Sequence, residues 1–477
     1  MVFSSVIFLF GFLPIILVIY SLTPEKHKNL TLLLSSLAFY FWGENLLVLM
    51  LLASTLANYF FALLIGRQDK LSPTTSGPTK KLILGLSVAV NIGLLCWYKY
   101  SNFFVQDILL DAAGLQNGLT QEWTTVILPL GISFYTFQSM SYVIDVYRGT
   151  VPATRNYIDF ACYVTSFPQL VAGPIVRYKD IAKQLVKRTV TLDDFHEGVN
   201  RFIVGLAKKV LIANTVARSA DAIYALPAQQ LDAPLAWLGA ACYTLQIYFD
   251  FSGYSDMAIG LGKMFGFTFP ENFNYPYISK SIQEFWRRWH ISLSTWFRDY
   301  LYIPLGGNRV APWRTYANLW IVFVLCGLWH GASWNFIIWG IFHGFFLVLE
   351  RGPWGKMLAV FPAVFRHAYT LFAVMIGWTI FRADNMTVAR EMLGAMFGFG
   401  KGQPATLTFS YYAGPDVLAA LAVGILFSIP LWKKTLEKIG GTTVGVLIHN
   451  VTLVTLFILS ITAVSSSTYN PFLYFRF

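Results

Sequence analysis

Charged residues are scarce in this sequence. Of its 477 residues only 12% are Asp, Glu, Lys or Arg, whereas 56% are hydrophobic. Soluble domains carry roughly a quarter charged residues, so a water-soluble fold of this composition would have too little polar surface. Aromatic residues make up 17% of the chain, which suits belts of aromatic rings at the level of the lipid headgroups. The composition therefore predicts an integral membrane protein.

Several sequence motifs of soluble enzymes are also absent. The four cysteines stand far apart without a CxxC pair, which favours packing residues over a disulfide framework or a zinc site. The sequence has no HExxH, no GxSxG and no Gly-rich phosphate loop, so zinc hydrolase, serine hydrolase and NTPase functions have no local support. No repeat with a period of 20 to 50 residues is visible.

Basic residues give the chain a formal net charge of +11. They lie in short loops between apolar runs and form no single patch, so they indicate membrane topology and no nucleic-acid partner. By the positive-inside rule, the N-terminus and the Lys- and Arg-free range 101–123 face the outside. The ranges predicted to face the cytoplasm are 67–81, 177–201, 268–315 and 433–440.

Apolar runs alternate with these loops along the chain. A helix needs about 17 to 25 residues to cross a bilayer, and the first run lacks the basic start and cleavage site of a signal peptide. Pro and Gly interrupt several runs, which is tolerated where protein or a water-filled cavity satisfies the backbone. We predict one all-α polytopic domain over 1–477, with about 10 to 12 transmembrane helices and further interfacial or re-entrant helices around a central tunnel. The runs are 2–22, 30–42, 46–65, 82–98, 124–146, 157–176, 202–226, 237–267, 316–349, 369–381, 417–432 and 444–463.

The range 268–315 is basic and has a helical pattern. Its apolar residues recur at helical spacing from Ile282 to Phe297, and Ser281 with Glu284 resembles a capping box. The pattern predicts an amphipathic helix at the cytoplasmic interface. Arg287 and Arg288 on this helix suit the phosphates of an acyl-coenzyme A, although a basic anchor without chemistry is the alternative.

One of the seven histidines, His330, lies deep in a long apolar run. An ionisable residue at membrane depth is costly, which makes His330 a candidate functional residue. His343 follows 13 residues later, about 220° around and roughly 20 Å along a continuous helix, so the pair could not share a metal there. A break at Gly331 would alter that geometry.

A second group of polar residues lies within the run 237–267. These residues either line the tunnel or hydrogen-bond a broken helix, because carboxylates at membrane depth need partners or water. They are Asp250, Ser252, Tyr254, Ser255 and Asp256.

Six stretches of the sequence carry a family resemblance, namely residues 1–5, 128–137, 248–260, 284–294, 327–332 and 470–477. With them the chain resembles the membrane-bound O-acyltransferase family and, within it, the membrane subunit of bacterial alginate and cellulose O-acetylation systems. The resemblance implies that His330 is the catalytic histidine and that His290 occupies a second polar position, where some relatives carry Asn or Asp.

The same resemblance implies a setting in the bacterial inner membrane. The acyl donor would be acetyl-coenzyme A, without a metal, and the partners would be an exopolysaccharide and periplasmic or membrane-anchored acetyltransferase subunits that receive the acetyl group. His330 would act as general base on an acceptor hydroxyl, since the pKa of histidine lies near neutrality. The alternatives are a transporter or flippase of a lipid-linked saccharide and a structural subunit of an export complex.

Overall fold

The structure is a computed structural model that describes residues 2–68, 73–111, 125–400, 408–431, 435, 441–466, 469–471 and 473. Throughout these residues the regular structure is helical and no strand occurs. The predicted all-α class is therefore confirmed. The predicted outside range 101–123 lies beyond the described residues after Asp111, and of the predicted cytoplasmic range 433–440 only Thr435 is described.

The described α-helices are numbered here in chain order. They are α1 (Leu13–Leu22), α2 (Lys28–Glu44), α3 (Leu47–Gln68), α4 (Pro73–Phe103), α5 (Ile132–Tyr147), α6 (Tyr157–Thr165), α7 (Phe167–Leu170), α8 (Tyr178–Val186), α9 (Leu192–Ala207), α10 (Asn214–Tyr224), α11 (Ala233–Met264), α12 (Ile282–Arg288), α13 (Ile291–Phe297), α14 (Pro312–His330), α15 (Trp334–Arg351), α16 (Pro353–Val360), α17 (Ala363–Arg382), α18 (Met386–Met396), α19 (Phe409–Tyr412), α20 (Pro415–Phe427) and α21 (Thr443–Ser466). Short π-helical segments cover Phe8–Phe12, Phe104–Asp111, Lys208–Ala213 and Arg298–Tyr302, and 3-10 turns cover Glu25–His27, Ala228–Gln230 and Pro276–Ile278.

Four helices within the described ranges are long and apolar enough to cross a membrane: α3, Gly77–Gln106, α17 and α21. The pair α15 and α16, bent by 73°, would make a fifth span. Only 17% of the apolar window is buried in α21 and in Gly77–Gln106, which suits side chains in contact with lipid. The membrane class is thus confirmed, whereas a total of 10 to 12 crossings stays a prediction.

Two of the predicted apolar runs are divided in the structure. The run 157–176 forms α6 and the four-residue α7, followed by non-helical backbone around Gly173. The run 316–349 forms α14 and α15, which are separated by residues 331–333. The run 237–267, in contrast, is one continuous helix as far as Met264.

The predicted amphipathic helix from Ile282 to Phe297 is wrong as a single element. It is divided into α12 and α13, because His290 takes the left-handed conformation with φ 43°, which a helix of L-residues does not sustain. Ser281 caps α12 as predicted and accepts a hydrogen bond from the Glu284 N–H at 3.0 Å. The Glu284 carboxylate, however, accepts from the Lys280 N–H at 2.9 Å, so the capping box is incomplete.

The described chain forms two compact units, Met1–Val199 with Ala258–Pro270, and Asn200–Met257 with Glu271–Phe477. In the first unit, α3 packs against α4, α5 and α6, and α2 packs against α6. In the second unit, α14 and α15 pack along each other, and α15 also contacts α12 and α17. A single transmembrane domain with a cytoplasmic segment over 268–315 stays a prediction.

Candidate active site

The position of His330 follows from the close packing of α14 on α15. A Cβ atom on Gly327 would lie 2.2 Å from the Phe336 carbonyl oxygen, and one on Gly340 would lie 2.4 Å from the Phe323 carbonyl oxygen. Small residues of this kind let helix backbones approach closely within a membrane. The two glycines therefore let α14 and α15 pack closely one turn before the end of α14, where His330 is the last residue.

The His330 side chain is buried, with 6% of its surface exposed. Its ring meets the rings of Trp329, Trp339 and Phe381 nearly at right angles, with centroids 5.0, 5.1 and 5.2 Å away. His330 also lines a small pocket in the second unit, together with Ile247, Phe251, Trp289, Trp378, Phe381 and Leu473. Among these lining residues His330 carries the titratable side chain, so acid–base chemistry in the pocket would use His330.

His290 lies in the same aromatic cluster. Its ring centroid is 4.6 Å from that of Phe251, which lines the pocket, and 6.1 Å from that of Trp329, which contacts His330. Burial lowers the pKa of His290 to about 3, so the imidazole is neutral at physiological pH. The structure thus brings the two histidines predicted from the sequence to one cluster, with His290 buried at the break between α12 and α13.

The two candidate donor-binding arginines differ in their surroundings. Arg287 is exposed on α12. Arg288 is half-buried, forms an ion pair with Glu284 at 3.0 Å and donates a hydrogen bond to the Asn274 carbonyl at 3.1 Å. Arg287 is therefore the more accessible of the two to a phosphate group.

The carboxylates of α11 have partners. Asp250 forms an ion pair with Lys209 at 2.5 Å, and the two side chains are only 2% and 3% exposed. Asp250 also accepts a hydrogen bond from the Leu473 N–H at 3.0 Å, and Lys209 donates to the Pro471 carbonyl. Because Leu473 lines the pocket of His330, this ion pair holds part of the pocket wall in place.

Asp256 pairs with Lys208 and Arg201, each at 2.6 Å. The alternative that these polar residues serve a broken helix is wrong, because α11 is continuous over this stretch. Asp250 and Asp256 instead join α11 to α9, to the π-helical segment Lys208–Ala213 and to residues near the C-terminus.

Sequence reasoning missed three residues around the site. Leu473 and Asn272 lie in stretches without helical periodicity, and Oδ1 of Asn272 lies 3.0 Å from Nδ1 of His290. The sequence suggests His343 only as a metal ligand, yet it is fully buried and its ring centroid lies 5.0 Å from that of Trp339, which also contacts His330. Because α14 ends at His330 and the chain continues as α15, both histidines can contact Trp339. Among the described residues, no group of three His, Cys, Asp or Glu side chains is placed to hold a metal ion.

Comparison with known proteins identifies the family of the chain. The model of the family "MBOAT, membrane-bound O-acyltransferase family" matches residues 151–388, a range that contains both His290 and His330. The chain is 46% identical to "Probable alginate O-acetylase AlgI" of Pseudomonas putida, over 100% of both chains. It is 50% identical to the protein of the same name from Pseudomonas aeruginosa, over 87% of this chain and 79% of that one.

A more distant relative is the "Peptidoglycan O-acetyltransferase" of Helicobacter pylori, which is 37% identical over 83% of this chain and 80% of its own length. The resemblance thus extends along the whole sequence and is not confined to the histidine motifs. The chain belongs to the membrane-bound O-acyltransferase family and is a membrane-embedded O-acyltransferase.

Proposed function

We propose that this protein transfers an acetyl group from acetyl-coenzyme A, in the bacterial inner membrane, for the O-acetylation of an exported polysaccharide. The observation that carries the proposal is the aromatic pocket in which His330 is the titratable lining residue, with His290 in the same cluster. Relatives named as alginate O-acetylases favour alginate as the polymer, with cellulose as the alternative.

His330 is proposed as the general base of the transfer. The oxygen of an acceptor hydroxyl attacks the thioester carbonyl, so a C–O bond forms and the C–S bond breaks. The hydroxyl proton passes to His330 and then to the leaving thiolate, which gives an acetyl ester and free coenzyme A. A histidine can take and return one proton in this way because its pKa lies near neutrality.

The lining of the pocket supports a short acyl group. The side chains around His330 are large and mainly aromatic, including Phe251, Trp289, Trp378 and Phe381, and Leu473 is held against them by its bond to Asp250. A two-carbon acyl group needs the least room in such a site, because added methylene groups in a packed site cause strain.

The two substrates approach from opposite sides of the membrane in this proposal. Coenzyme A is made in the cytoplasm, and exposed Arg287 on a segment predicted to face it is suited to bind phosphate. The acceptor is a hydroxyl group on the polysaccharide, or on a periplasmic or membrane-anchored acetyltransferase subunit that passes the acetyl group on.

The decisive test replaces His330 with Ala, with His343→Leu as the matched control. Both histidines are buried in the same aromatic cluster, but His343 does not line the pocket. Purified variants are given radiolabelled acetyl-coenzyme A and a polysaccharide acceptor. We expect His330→Ala to lose about 10² to 10⁴ of the acetyl-transfer rate, as is typical of a general base, while His343→Leu stays within tenfold of the wild type.

Near-normal polymer acetylation in cells that carry His330→Ala would contradict the proposed role of His330 as the general base. Incubation with donor alone separates two catalytic roles. A general base leaves no acetyl group on the protein, whereas a nucleophile accumulates an acetyl-histidine that His330→Ala lacks.

A further inference from the structure

We propose that Asn272 is a positioning residue that fixes the ring tautomer of His290 and so leaves Nε2 as the hydrogen-bond acceptor and basic atom of that ring. The inference rests on the proposed function, because it gives His290 a defined role beside His330. Its evidence is a chain of hydrogen bonds that runs from a backbone amide to the imidazole.

The orientation of the Asn272 amide is determined by two neighbours. The backbone N–H of Ser292 lies 3.2 Å from Oδ1 of Asn272, and a backbone amide nitrogen can only donate. The atom that accepts this bond is therefore the oxygen. On the other side of the amide, Nδ2 donates to the Ser255 hydroxyl at 3.0 Å, which agrees with the same orientation.

The tautomer of His290 follows from that orientation. Nδ1 of His290 lies 3.0 Å from Oδ1 of Asn272, and an amide oxygen carries no hydrogen to donate. Nδ1 must therefore carry the proton, and in a neutral imidazole this leaves the lone pair on Nε2. Nε2 is buried and has no hydrogen-bond partner among the described residues, so its lone pair is unused within them.

The backbone around His290 is held by the same short stretch. The Asn272 carbonyl accepts a hydrogen bond from the Ile291 N–H at 2.9 Å, and the Arg288 carbonyl accepts from the Asn274 N–H at 2.9 Å. These two bonds lie on either side of His290, whose left-handed conformation is unfavourable for a residue with a Cβ atom. Such conformations persist where surrounding contacts over-determine them, and they cluster at functional sites.

The fixed imidazole is close to the proposed chemistry. Phe251 packs edge-on against the His290 ring and lines the pocket of His330, and Trp329 contacts both imidazoles. A hydroxyl or amide N–H of a substrate that enters this cluster finds an acceptor at Nε2. Without Asn272, the proton can move to Nε2 and that acceptor is lost.

The test compares Asn272→Leu with Asn272→Asp in the purified full-length protein, using acetyl-coenzyme A as donor. Leu removes the acceptor for Nδ1–H, and we expect kcat to fall about tenfold to a hundredfold, the range found when the outer hydrogen-bond partner of a metal-ligating histidine is removed. The KM for acetyl-coenzyme A should stay within about twofold, since a residue that acts only through His290 makes no contact with the bound donor.

Asn272→Asp keeps an acceptor for Nδ1–H and should restore most of kcat at alkaline pH. Its carboxylate favours the imidazolium form and raises the pKa of His290. The acid limb of the kcat profile should therefore move to higher pH than in the wild type. A merely structural role for Asn272 would not shift that profile.

Asn318→Leu is the matched structural control, because Asn318 is 2% exposed and its amide donates to the Leu305 and Gly307 carbonyls. It should lower thermal stability and leave kcat of the folded protein unchanged. The inference is overturned if folded Asn272→Leu has the wild-type kcat, or if the profile of Asn272→Asp is not shifted. Loss of activity in His330→Ala together with such a result would overturn only the role of Asn272 and leave the proposed function standing.

Discussion

The buried ion pair between Lys209 and Asp250 permits a quantitative prediction. Replacing Asp250 with Asn removes one charge and leaves the Lys209 ammonium, 3% exposed, without its counter-ion. Breaking a buried pair in this way costs about 3–5 kcal/mol, most of which is the penalty of burying the remaining charge. The amide of the new Asn still provides an oxygen for the Leu473 N–H, so the change isolates the charge.

The chain offers a matched control at the surface. Arg218 and Asp416 form an ion pair at 2.6 Å, nearly the same separation, but their side chains are 56% and 55% exposed. Water solvates either charge when the other is removed, so Asp416→Asn should cost about 1 kcal/mol or less. The two substitutions share their chemistry and differ in burial.

Unfolding of the purified protein in detergent, followed by tryptophan fluorescence, measures both variants. We expect the midpoint of Asp250→Asn to fall well below that of Asp416→Asn, and the double variant Lys209→Met/Asp250→Asn to recover part of the loss because no buried charge remains. With Lys209→Met as the second single variant, a double-mutant cycle separates the interaction of the pair from the effects of the single substitutions. Equal midpoints for Asp250→Asn and Asp416→Asn would refute the reasoning.

Three further predictions follow from the site and the topology. Arg287→Gln should raise the KM for acetyl-coenzyme A more than it lowers kcat, because phosphate contacts remote from the thioester bind ground state and transition state alike. Arg288→Gln should raise the KM less. An unchanged KM in both variants would show that these arginines have no role in donor binding. Leu473→Ala should increase the rate with propionyl-coenzyme A relative to acetyl-coenzyme A by widening the pocket, and an unchanged ratio in competition assays would exclude Leu473 as a determinant of acyl length. In a variant without the native cysteines, Ser101→Cys should react with an impermeant external reagent and Lys80→Cys should not; the reverse labelling would invert the predicted orientation.

The sequence by itself determined the class of the protein and the residue on which its proposed chemistry depends. A sequence with few charged residues and long apolar runs forms transmembrane helices, because within a bilayer every backbone polar group must be satisfied within its own segment. His330 was identifiable for the same reason, since a titratable group in an apolar run is costly. The cap at Ser281 is a local interaction and was also predicted correctly.

The break at His290 could not be read from the sequence. Apolar residues continue at helical spacing on both sides of it, and periodicity records which faces are buried without recording the φ angle of one residue. The left-handed conformation goes with a hydrogen bond from the Ile291 N–H to the Asn272 carbonyl and one from the Asn274 N–H to the Arg288 carbonyl. Asn272 and Asn274 precede His290 by 16 to 18 residues and lie in a stretch without periodicity.

Only the tertiary structure decided which residues complete the site. The sequence indicates that Asp250 needs a partner, but its pairing with Lys209 and with the Leu473 N–H depends on how α11, the π-helical segment Lys208–Ala213 and residues near the C-terminus pack. Local propensity acts over a few residues along the chain, whereas these contacts join residues far apart in sequence. The sequence therefore supplied the catalytic candidate, and the packing supplied the pocket wall and the hydrogen bonds around it.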